Sequence, residues 1–194
     1  MSIETGTYAF MEVARHFTQS AINIVQAYEN EQSKLALDQV LTPARLDNSA
    51  GTAQSLAVLG QLRALTHAHK EAYGKYMVAS TRDLTTALEQ LPQPQQDEQR
   101  NGIVASLNRQ LALQADFYLN RFRWIDAGTD MCNLVETNRS TVRIGPDGFD
   151  FVSDDDYEHF VSLLTLLDEI HFIEVAAMEE RKRHITRSMA ILAA

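Results

Sequence analysis

Apolar residues recur at steps of three and four along almost the whole chain, in four stretches of roughly 35–40 residues without an internal proline. Such stretches are far longer than the usual ~12-residue helix. The four prolines fall in the breaks: Pro43, Pro92 with Pro94, and Pro146. Four long helices joined by short turns predict an all-α, up-down-up-down bundle of four antiparallel helices. At 1.5 Å per residue each is about 50–60 Å long.

The first predicted helix runs from about Thr7 to Leu41, with Phe10, Val13, Phe17, Ala21, Ile24, Tyr28 and Leu35 on one face. Pro43 and the polar run Asp47-Asn48-Ser49-Ala50-Gly51 end it, and Thr52 is the expected N-cap of the second. That helix lines up Leu59, Leu62, Thr66, His69, Tyr73, Met77, Leu84 and Leu88. Gly60 and Gly74 each weaken it by up to ~1 kcal/mol relative to alanine, so packing must hold it. Pro92-Gln93-Pro94-Gln95-Gln96 is the next connector, and Asp97 and Glu98 put negative charge at the positive end of the third helix.

The third helix, from about Glu98 to Asn138, has two apolar faces. One carries Leu107, Leu111, Tyr118, Phe122, Ile125 and Cys132. The other carries Leu113, Phe117, Trp124 and Met131. A helix in a four-helix monomer needs one broad apolar stripe. The second face is therefore either the edge of a thick core or a surface for self-association, since Phe117, Trp124 and Met131 exposed together would form an unusual patch.

From Thr141 to Val152 the period changes to two. Val142 and Ile144 alternate, Gly145-Pro146-Asp147-Gly148 turns the chain, and Phe149 and Phe151 alternate again, a β-hairpin pattern. A lone hairpin is marginal in water, so Phe149 and Phe151 are expected to pack on the bundle end or on a partner. Ser153-Asp154-Asp155-Asp156 then reads as a capped, acidic helix start. The last helix runs to roughly Met189, with Phe160, Leu163, Leu164, Leu167, Ile170, Met178, Ile185 and Met189 as its inner row.

Composition adds bounds rather than an activity. A chain of 194 residues is expected to form one domain, 1–194, with the hairpin as an insertion at about 141–152. It has 17 Lys and Arg against 26 Asp and Glu, a net charge of −9. Most of such a surface repels phosphate backbones and anionic headgroups, so neither nucleic-acid binding nor membrane insertion is expected. The basic run Arg181-Lys182-Arg183-His184 suits the helix dipole better than a nucleic-acid site. Cys132 is the only cysteine, which rules out an intramolecular disulfide and fits a small buried hydrophobe. The first six residues do not resemble a signal peptide. The expected location is the cytoplasm, with secretion by a signal-peptide-independent route left open.

No phosphate-binding glycine loop, nucleophile elbow or Cys-x-x-Cys pair appears, nor the paired Glu-x-x-His motifs of di-iron bundles. The informative polar residues interrupt apolar rows. Glu174 lies in the inner row of the last helix with His171 one turn before it, and His69 lies between Thr66 and Tyr73 on the second. Reflecting His69 through the predicted turns puts it level with about Ile24, Phe122 and Phe172. The layer holds either an internal network pairing Glu174 with a histidine, a tyrosine hydroxyl or Arg181, or a zinc or iron site built from His69, His171 and Glu174. The expectation is a non-enzymatic helical-bundle interaction protein without a cofactor, accessory, regulatory, chaperone-like or inhibitory. It is expected to self-associate as a homodimer or bind a protein partner through Phe117, Trp124, Met131, Phe149 and Phe151. The alternative is a metal- or small-ligand-binding bundle on the His/Glu layer.

Overall fold

In a computed structural model, residues 3–145 and 148–193 are described. The fold is all-α with one short hairpin: α1 Ile3–Ser33, a 3₁₀ turn Leu37–Gln39, α2 Pro43–Leu46, α3 Ser49–Leu88, α4 Gln93–Thr137, β1 Arg143–Gly145, β2 Gly148–Asp150 and α5 Asp154–Ala193. The hairpin lies between α4 and α5, the third and fourth long helices, as the change of period predicts. Its strands are antiparallel, with Ile144 opposite Phe149 and Gly145 opposite Gly148. Gly148 has φ +129°, which suits a residue without a Cβ. Pro146 and Asp147 of the expected turn lie outside the described residues.

Local chemistry sets the helix ends. Ser153 Oγ accepts from the Asp156 amide at 3.3 Å, the expected cap, and three aspartates occupy the first turn of α5. The other ends differ from the sequence reading. The first helix stops at Ser33, because Ala36 takes a left-handed conformation (φ 45°) that turns the chain into the 3₁₀ segment. Thr42 caps α2 with Pro43 at its first position. Asn48 rather than Thr52 caps α3: its Oδ1 accepts from the Gly51 amide at 2.9 Å. A Cβ on Gly51 would lie 1.8 Å from the Arg45 carbonyl oxygen, so the connector closes onto α3 only over glycine. α4 begins at Gln93, earlier than expected, with Pro94 tolerated in its first turn.

The chain divides into two compact units. The first comprises Met1–Tyr28, Ala68–Phe117 and Ala177–Ala194. Its core is Phe10, Phe17, Tyr73, Met77, Leu84, Leu88 and Leu91. Phe17 meets Tyr76 and Tyr28 meets His69, so α1 runs antiparallel to α3. The Tyr76 hydroxyl donates to the Phe17 carbonyl at 2.7 Å, and Tyr73 OH lies 3.1 Å from Gln110 Oε1 on the returning α4. Burying these tyrosines is tolerable because each hydroxyl has a partner.

The second unit comprises Glu29–His67 and Tyr118–Ala176. Val40, Leu46, Leu62, Ile125, Met131, Cys132 and Val135 are fully buried in it. Phe151, Phe160, Leu163 and Leu167 join the same cluster. This unit packs the end of α1 and parts of α3, α4 and α5 with the α1–α3 connector and the hairpin. His67 against Phe122 and Arg63 against Asp126 set α3 antiparallel to α4. The Arg139 guanidinium gathers the connector: it donates to the Leu46 carbonyl, to Thr52 Oγ1 at 2.6 Å and to Glu136 at 2.7 Å.

Candidate functional site

Glu174 is the charged residue that helical spacing places in the inner row of α5, and the second unit supplies its partner from α4. Arg121 Nη2 lies 2.9 Å from Glu174 Oε2, and the side chains are only 11% and 15% exposed. The second oxygen, Oε1, is buried and has no hydrogen-bond partner among the described residues. Burial raises the carboxyl above its ordinary value, against the opposing pull of Arg121 and His171. One oxygen is satisfied and one is not, so desolvation outweighs the ion pair.

Sequence reasoning named a histidine, a tyrosine or Arg181 as the partner and missed Arg121; the side chain of Arg181 lies outside the described residues. A signal existed. Tyr118, Arg121, Ile125, Gly128 and Cys132 follow one another at steps of three and four, so Arg121 stands in the inner row of α4. Tyr118, Ile125, Gly128 and Cys132 are all buried.

His171 is exposed on α5, one turn before Glu174. His69 belongs to the first unit, where it is 7% exposed. Its ring lies 4.5 Å from that of Tyr28 and 6.1 Å edge-on to that of Phe117. Among the described residues, no group of three or more His, Cys, Asp or Glu side chains is placed to hold a metal ion. Burial pushes the Cys132 thiol up to about 11, away from the range of a reactive thiolate.

The expected interaction residues serve the chain's own packing. Met131 has no exposed surface, and Trp124 packs against the same core. Phe117 is half-buried and meets Tyr28 edge-on at 5.7 Å. Phe149 and Phe151 both pack on Phe160, at 4.8 and 5.2 Å. The exposed apolar surface is elsewhere. On α5, Phe160, Leu163, Leu167 and Ile170 face inward, but Leu164 and Met178, expected in that row, are 41% and 46% exposed; Ile185 and Met189 lie outside the described side chains. Leu164 belongs instead to an outer stripe with Val161, Phe172 and Val175, exposed by 40%, 72% and 40%. Positions 161, 164, 168, 172 and 175 share one side of a helix, and Asp168 takes the middle place.

Among the described residues, no helix is long and apolar enough to cross a membrane. Compared with known proteins, the chain matches no family model, no curated protein and no solved structure.

Proposed function

We propose that this chain is a protein-binding helical module and that the outer face of α5 is its docking surface. One observation carries the reading. Val161, Leu164, Phe172 and Val175 form an apolar stripe about four turns long that no side chain covers among the described residues. Folded chains bury such stripes against something, and an amphipathic face of this length matches the way one helix seats another through i, i+3, i+4 and i+7 anchors. The inner face of the same helix already supplies the packing that holds α5 to the second unit. The outer stripe is therefore free for a partner.

A photocrosslinking side chain at position 172, compared with one at exposed polar Gln61 on α3, tests this in cells that make the protein. The expected result is a discrete protein adduct at 172 that is absent at 61 and lost when Val161 is also changed to aspartate. Equal, diffuse labelling at the two positions would overturn the reading.

A further inference from the structure

The charge around the outer stripe selects among occupants. From Asp154 to Ala176 the chain carries seven carboxylates and not one lysine or arginine. Glu174 turns inward to Arg121. Asp168 sits inside the stripe, and Glu158 and Glu169 stand exposed beside it. A surface that is apolar along its length, with a carboxylate inside it and others along one margin, is complementary to one kind of helix.

A second copy docking through the same stripe would bring Asp168 against Asp168 and set one row of carboxylates against another. Like charges facing each other across an interface disfavour that pairing. An anionic lipid surface meets the same repulsion. A wholly neutral helix would strip water from Asp168 without giving it a partner, which is costly for a carboxylate. A helix with an apolar row flanked by basic residues meets every requirement at once.

We propose that the outer face of α5 docks a basic amphipathic helix of a partner protein, about fifteen residues long, with a lysine or arginine set against Asp168. This rests on the reading of that face as a docking surface. The flanking carboxylates steer the approach and exclude acidic helices, while Phe172 and its apolar neighbours hold the complex.

The test titrates three fluorescent synthetic helices of about eighteen residues against the full chain. All share one leucine row, and the remaining positions are lysine, glutamine or glutamate. The lysine helix is expected to bind at least about tenfold more tightly than the glutamine helix, with the glutamate helix weaker still, and the preference should shrink as salt rises. Phe172→Asp should weaken the lysine helix by about tenfold or more. Its side chain is 72% exposed, so the fold should tolerate the change, which circular dichroism checks. Asp168→Lys should lower the preference for lysine over glutamate.

If Phe172→Asp leaves binding of the lysine helix unchanged, the attraction is diffuse charge and the docking-face reading itself fails. If that variant weakens all three helices while the wild type never distinguishes them, the face stands and the basic partner is wrong. A concentration-dependent dimer of the wild type abolished by Phe172→Asp would make a second copy the occupant. Capture by phosphatidylserine vesicles abolished by the same change would make it a membrane. Either result overturns the proposal.

Discussion

Two arginines of the second unit, Arg121 on α4 and Arg139 just beyond its end, each meet a glutamate, and the two pairs respond to their surroundings in opposite ways. Glu136 is 41% exposed, and both its oxygens are used: one accepts from Ser49 Oγ at 2.6 Å, the other from Arg139 at 2.7 Å. Those bonds hold its carboxyl below the ordinary value, the Ser49 hydroxyl having the largest influence and Arg139 the next. Glu174 is more deeply buried and has one oxygen paired and one bare, and its carboxyl is held above the ordinary value. An arginine within hydrogen-bond reach does not by itself decide whether a carboxylate is comfortable. Counting acceptors and solvent does.

The comparison predicts its largest effect at Arg121. Arg121→Met leaves Glu174 buried without its counter-charge, which costs about 3–5 kcal/mol. Urea unfolding at neutral pH measures it. Adding Glu174→Leu should recover most of that loss, since an apolar pair of similar volume replaces the ions. A single-variant loss below about 1 kcal/mol would place the pair among solvated surface bridges.

Arg139→Met comes next, at about 2–3 kcal/mol. Its ion pair with Glu136 is too exposed to matter much. The loss comes from the Leu46 carbonyl and the Thr52 hydroxyl, which both accept from Arg139 and would lose that donor. Thr52 is buried and Leu46 anchors the connector in the core, so the variant should also expose residues 34–48 to protease cleavage. Loss of stability without faster cleavage there would mean that Arg139 does not hold the connector.

What the sequence discloses and what it hides divide along physical lines. Period is local, so the long helices, the hairpin and the Ser153 cap can be read directly. The break at Ala36 cannot, because alanine is the best helix former and its left-handed turn is imposed by packing of the connector. Gly51 looks like a loop residue until the Arg45 carbonyl is seen against it. Met131 and Trp124 looked like a surplus face because the connector and hairpin that cover the second-unit core have no helical period to announce them. The same limit hid the outer stripe of α5. Spacing shows that Leu164 and Phe172 are apolar and share a side with Val161, but not that this side stays exposed among the described residues. Glu174 stood out as a charge in an apolar row. Its partner stood out less, because a long arginine in an apolar row reads as snorkelling to solvent.

The smallest effect is also the one that separates the two pairs most cleanly, because only its sign is needed. Glu174 keeps its proton to higher pH in the folded chain than in the unfolded one, where the ordinary value of 4.5 applies. Its contribution to stability is therefore complete below about pH 4.5 and is lost as pH rises through the raised folded value. Glu136 is the reverse. Its contribution is present above 4.5 and is lost as pH falls through the lowered folded value. Glu174→Gln and Glu136→Gln, unfolded in urea beside the wild type between about pH 3.5 and pH 7.5, should give opposite slopes. The Glu174→Gln variant should gain on the wild type as pH rises, and the Glu136→Gln variant should lose ground over the same range. If both variants lose ground, Arg121 outweighs the burial of Glu174, and its bare oxygen carries no penalty.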